Sequence, residues 1–110
     1  MADEARTWSL QDLRDRHEAR GRPYDEVLRV DALSVGVYRL DAGAIDAQTP
    51  HGEDEIYVVL SGQGSIEIGE DRAEVSAGSL VDVPTGVPHR FRDITAALEV
   101  LVVFAPPESS

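Results

Sequence analysis

The stretch TPHGEDEIYVVLSGQG, residues 49–64, decides the fold class of this chain. Residues 56–60 form a run of β-branched and aromatic side chains, which predicts a strand covered on both faces. Gly62-Gln63-Gly64 then predicts a break. On an extended chain, residues at even separation share a face, so His51, Glu55, Tyr57 and Val59 point the same way. Glu55 leads directly into the most apolar strand of the sequence. A carboxylate aimed into a core is costly unless it is paired or holds a metal.

The same alternation recurs outward from this strand. Residues 65–68, 72–75, 80–83 and 98–104 predict further strands, and another starts at His89-Arg90-Phe91. Upstream, residues 27–30 and 33–40 predict two more. Eight or nine short strands separated by Gly, Pro and Asp turns imply an all-β sandwich or barrel. Ahead of them, Ser9 is placed to cap a short helix with Asp12 in its first turn, running to about Arg20 and stopped by Gly21-Arg22-Pro23. Leu10 and Leu13 are its main apolar contacts. The predicted organisation is an N-terminal segment with this helix over residues 1–26, a barrel over 27–106, and a polar tail over 107–110. Residues 1–8 read as frayed, with Trp8 expected to pack on the domain or on an interface.

Composition narrows the function. The chain has 110 residues, enough for one domain. Lys and Arg number 10 against 21 Asp and Glu, a formal charge of -11. That balance argues against nucleic acid, whose phosphates need basic partners, and against an anionic membrane surface. There is no cysteine, which excludes disulfides, thiolate metal sites and a cysteine nucleophile. Any metal must sit on imidazole, carboxylate or other oxygen donors. The first residues hold no apolar core of a leader, and no stretch approaches ~18 apolar residues, so a cytoplasmic location is expected.

Only His17, His51 and His89 are available as imidazole donors. His89 follows the corner Pro84-Thr85-Gly86-Val87-Pro88, where two prolines and a glycine restrict the backbone. It shares a face with Phe91, and Arg90 and Arg92 share the other. His17 stands among charges and reads as a surface residue. Glu53 and Asp54 read as a solvated acidic loop, and Phe91 as apolar wall.

These residues resemble the two motifs of the cupin superfamily, in its small single-domain bacterial form. The first motif is a glycine, His-x-His, three or four residues, a Glu, six residues and a glycine. Gly43 can open it here, His51 matches the second histidine, Glu55 the glutamate and Gly62 the closing glycine. The second motif matches at Gly78, Pro84, Gly86 and His89, with Asp93 in the place of its final Asn. The resemblance covers roughly residues 33–104. It implies a double-stranded β-helix, or jelly-roll barrel, with its ligand site inside. It also implies a divalent metal ion held by His51, Glu55 and His89.

One ligand departs from the pattern. Thr49 stands where the family has its first histidine, and its hydroxyl could hold a bound water. Gln48 is the other candidate, since an amide oxygen can bind a hard cation, although its parity in a regular strand is wrong. Two histidines and one carboxylate match the facial triad of non-haem Fe(II) oxygenases and equally a three-ligand zinc site. Fe, Mn, Ni, Zn and Cu all stay open. The expected activity is that of a small-molecule dioxygenase, with Tyr57 and Thr49 as pocket groups. The alternatives are a metal-assisted isomerase or lyase, and a small-ligand binding cupin without catalysis. A homodimer is expected, because the terminal segments carry apolar residues that a small barrel can hardly cover.

Overall fold

The computed structural model describes residues 6–46 and 52–109. Gln48, Thr49 and His51 therefore lie outside the described residues. Helix α1 (Leu10–Arg20) precedes six strands: β1 (Tyr24–Arg29), β2 (Ser34–Leu40), β3 (Asp54–Ile68), β4 (Asp71–Ser76), β5 (Leu80–Val83) and β6 (His89–Ala105). All pairings are antiparallel, in the order β1-β2-β6-β3-β4, with β5 paired to β3. The all-β barrel with a short N-terminal helix is thus as expected, but its strands are fewer and longer.

The reason lies in β3 and β6, of 15 and 17 residues. Each passes through what the sequence reads as a break. Their ladder shifts register between Val59 and Ser65, opposite residues 92–100 of β6. The shifts crease the shared sheet rather than end it. Before the crease β3 pairs with β5, and after it with β4. Tyr57, Val59, Val100 and Phe104 from one half and Ile66, Val75 and Phe91 from the other form one buried cluster, so the sheet curls over its own inner face. Gly62 and Asp93 stand at the crease with positive φ of 98° and 49°. Asp93 is held there by an ion pair with Arg72.

Inward residues form cross-strand rows. Ser34, Phe104, Glu55 and Val83 make the first row. Gly36, Val102, Tyr57 and Val81 make the second, and Tyr24, Tyr38, Val100 and Val59 the third. The outward face of β3 is not covered as the sequence suggests. Ile56 is 41% exposed, and Val58 and Leu60 are half-buried. β3 is therefore a one-sided strand whose apolar run hides its alternation.

Helix α1 has the expected bounds. Ser9 and Asp12 form a reciprocal capping box, each side chain taking the other's backbone N–H at 3.0 Å. Leu10 is left exposed, so charge rather than apolar burial docks the helix. Arg14 forks onto Glu99 at 2.9 and 3.2 Å, and Arg16 and Arg20 share Asp25 at 3.0 and 3.3 Å. Asp25 and Glu99 are both buried. His17 is not on the surface. It is 2% exposed, and its Nε2 lies 2.6 Å from the carbonyl of Arg22, closing the turn into β1. Leu10, Leu13 and His17 share the 0, 3, 7 spacing of one helix face, a signal masked by the charges around it. β1 itself begins at Tyr24, three residues before the barrel start read from the sequence.

Candidate metal centre

Glu55 and His89 meet inside the barrel although 34 positions separate them. Strand parity turns Glu55, Tyr57 and Val59 inward, to 1%, 0% and 1% exposure. Val83 is the cross-strand partner of Glu55 and the last residue of β5. The 84–88 corner then returns the chain directly, so His89 opens β6 close to Glu55. The corner is pinned from β3: Asp54 Oδ1 accepts the Thr85 backbone N–H at 3.1 Å and its hydroxyl at 2.7 Å. Those bonds hold the Asp54 carboxyl below its usual range, with the hydroxyl the larger cause.

His89 is oriented by its own corner. Its Nδ1 lies 2.9 Å from the Val87 carbonyl, so that nitrogen carries a proton and donates it. Nε2 is thereby presented to Glu55, 3.1 Å from Oε1, with both side chains 1% exposed. The contact has the distance of an ion pair and is not a well-formed hydrogen bond. Among the described residues, neither Glu55 oxygen receives a well-aligned donor. A neutral imidazole in this tautomer turns a lone pair toward a carboxylate lone pair. Such a contact needs a positive charge to hold it, either a proton or a cation. Burial lowers the His89 pKa, but the Glu55 carboxylate and the Val87 carbonyl outweigh it, with Asp46 adding, so the group sits above its ordinary 6.5.

Tyr57 forms the wall beside the pair, its ring centroid 6.0 Å from His89 and 5.0 Å from Phe91. Phe91 is buried wall, as expected. Asp54 is exposed, as expected, but it opens β3 rather than lying in a loop, and Glu53 is buried, not solvated. Its carboxylate accepts the Ser109 hydroxyl at 3.0 Å, and the Glu108 N–H bonds to Ser34 Oγ at 3.0 Å. These contacts fold the tail across the first inward row, which no local sequence signal announces.

Two site residues escape the sequence reading. Asp46, 3% exposed, accepts the Tyr38 hydroxyl and the Phe91 N–H, both at 2.9 Å. It ties the loop after β2 to the start of β6. Tyr24 is the other. Its hydroxyl is buried in the barrel and has no hydrogen-bond partner among the described residues. The turn signal at Gly21-Arg22-Pro23 hides that β1 begins directly after it, at Tyr24.

A family model described as a cupin domain matches residues 36–104. The chain is a cupin. It is 45% identical to an uncharacterized protein of Streptomyces coelicolor over 104 residues, covering 94% of this cupin and 99% of that protein. A crystal structure from Thermus thermophilus is 25% identical, with a TM-score of 0.71, over 92% of this cupin and 97% of that chain. The DMSP lyase DddQ of Ruegeria pomeroyi is 27% identical with a TM-score of 0.65, over 69% of this cupin. This cupin spans 39% of that lyase's length.

The family implies a bound divalent metal, and the donors present fit one. A buried carboxylate without an aligned donor and an imidazole nitrogen 3.1 Å from it form a mixed N/O pair. Among the described residues, no third His, Asp or Glu completes a cluster. Among them, too, no helix is long and apolar enough to cross a membrane.

Proposed function

We propose that this cupin is a divalent-metal-dependent enzyme acting on a small organic molecule inside the barrel, with Glu55, His89 and His51 holding the metal. The observation that carries the reading is the His89 Nε2 to Glu55 Oε1 contact of 3.1 Å, made while Nδ1 is committed to the Val87 carbonyl. An imidazole fixed through its other nitrogen is how proteins set a metal-binding tautomer. With two histidines and one carboxylate, the favoured activity is that of a dioxygenase.

When bound, the metal would supply a Lewis acid with open positions for substrate and O2. The chain's own residues supply the rest. Val87 and the Asp54-pinned corner hold the His89 ring in place. Tyr57, Phe91, Val102 and Phe104 exclude water from the interior. Tyr57 and Thr49 are the proposed pocket groups, and Gln48 is a further candidate metal ligand ahead of β3.

The likeness to a lyase at 27% identity favours a second reading, a metal-assisted lyase or isomerase that needs no oxygen. Oxygen uptake during turnover separates the two.

Metal analysis after reconstitution is the test. The native protein should bind about one divalent ion per chain. His51→Ala, Glu55→Ala and His89→Ala should each lower the affinity at least tenfold. Equally negligible metal in all four proteins would overturn the proposal.

Self-association is a separate proposal. Ile56 and Leu80 stand 41% and 71% exposed on the outward face of β3 and β5, beside half-buried Val58, the cross-strand partner of Leu80. A second copy of this chain is the proposed cover. Sedimentation at micromolar concentration should show a dimer that Leu80→Asp dissociates. A monomeric native protein contradicts it.

A further inference from the structure

Tyr24 enters the barrel from its third inward row, at the start of β1. Its ring does not stay in that row. It leans across Gly36 in the second row and meets Phe104 of the first row edge-on, with centroids 6.2 Å apart at 77°. Gly36 makes this possible. A Cβ there would lie 2.3 Å from both Cζ and the hydroxyl oxygen of Tyr24, so any side chain at 36 would displace the ring.

The hydroxyl is thus carried toward the row of Glu55. It is buried and has no hydrogen-bond partner among the described residues. A buried phenol usually finds a partner, so an unanswered one carried toward the row of Glu55 is a donor awaiting an acceptor. Burial, then Glu108, Glu26, Glu55 and Asp25, all push its pKa upward. The phenol therefore stays protonated and able to donate throughout the neutral range. The same acidic neighbours disfavour an anionic oxygen at this point.

We propose that the Tyr24 hydroxyl orients the barrel's ligand by donating a hydrogen bond to an uncharged carbonyl oxygen, a role resting on the ligand site described above but not on its metal. Tyr24 is a specificity residue, and Gly36 keeps the space its ring needs. The apolar side chains of Val102 and Phe104 nearby suit the hydrocarbon part of such a ligand.

The test uses cyclopentanone, methylenecyclopentane and cyclopentanecarboxylate as probes. Each is titrated by NMR into the native protein and into Tyr24→Phe, metal-free and zinc-loaded, with metal content measured in every sample. The native protein should bind cyclopentanone about tenfold more tightly than Tyr24→Phe. Methylenecyclopentane, which lacks the oxygen, should bind both proteins equally. Thermal unfolding of metal-free Tyr24→Phe should come no earlier than that of the native protein, because no existing bond is removed. Equal cyclopentanone affinity in the two metal-free proteins overturns the proposal, as does native protein that binds none. An earlier unfolding of Tyr24→Phe would make the hydroxyl structural and overturn it too. Carboxylate binding as tight as ketone binding in metal-free protein removes the preference for an uncharged oxygen. The metal-free arm keeps this result independent of the metal reading.

Discussion

Glu55→Met is expected to abolish metal binding and, in metal-free protein, to raise stability. Glu55 is 1% exposed and neither oxygen receives a well-aligned donor among the described residues. Replacing a buried ion pair with apolar side chains of similar volume is commonly neutral or stabilising by ~1–4 kcal/mol, and removing one partner is costly only where it leaves the other charged. Methionine fills irregular space without branching. In the variant His89 loses the carboxylate that raises its pKa, keeps its bond to the Val87 carbonyl, and is left as a buried neutral ring. A gain of about 2 kcal/mol corresponds to roughly 10 °C in the unfolding midpoint of a small domain. Calorimetry on chelator-treated protein reads the stability, and elemental analysis reads the metal. Opposite signs in the two readouts are what a functional carboxylate produces. A variant that loses metal and also unfolds earlier would make Glu55 a structural residue.

The largest loss of stability is expected from Gly62→Ala. Gly62 has φ 98°, and an added Cβ would lie 2.1 Å from the Ala97 carbonyl oxygen and 2.8 Å from the Leu98 Cα. Both contacts are backbone atoms of β6 at the crease, so no flexible side chain can move aside. Strain at such a φ costs ~1–3 kcal/mol, and overpacking adds ~1–3 kcal/mol. A total near 4 kcal/mol is a large share of the ~5–15 kcal/mol stability of a domain. Gly86→Ala is the control. Its φ is 74°, and nothing lies within 4 Å of the added Cβ, so only the strain term applies. Urea unfolding should separate the two variants by at least ~1 kcal/mol. Equal losses would mean that close approach of β6 does not set the crease.

The crease also explains what was legible in the sequence. Parity along β3 correctly turns Glu55, Tyr57 and Val59 inward, and parity after the corner does the same for His89 and Phe91. These are local facts of an extended chain. The strand count fails because glycine carries the same signal whether the chain turns back or creases and continues. Gly62 and Gly64 do the second, so β3 runs on to Ile68. Glu53 and His17 are misread for another reason. Their partners, the Ser109 hydroxyl and the Arg22 carbonyl, leave no mark on the residues beside them. Tyr24 is missed because its site role depends on Gly36 and Phe104, which only strand pairing brings to it.

The site has the same division. Motif spacing brings Glu55 and His89 to one point, and the structure adds how the two are held there. The histidine's proton is held on Nδ1 by Val87, and the corner is tied down by Asp54 and Thr85. His51 lies outside the described residues, and its ligand role is part of the proposal.

The most direct test of the metal site is anomalous-difference density in crystals of the reconstituted protein, collected at the absorption edge of the added metal. One strong peak is expected inside the barrel, about 2.0–2.2 Å from His89 Nε2 and from a Glu55 oxygen, with His51 as the third protein ligand. Density that is flat between Glu55 and His89, with their 3.1 Å contact intact at full metal loading, would contradict it.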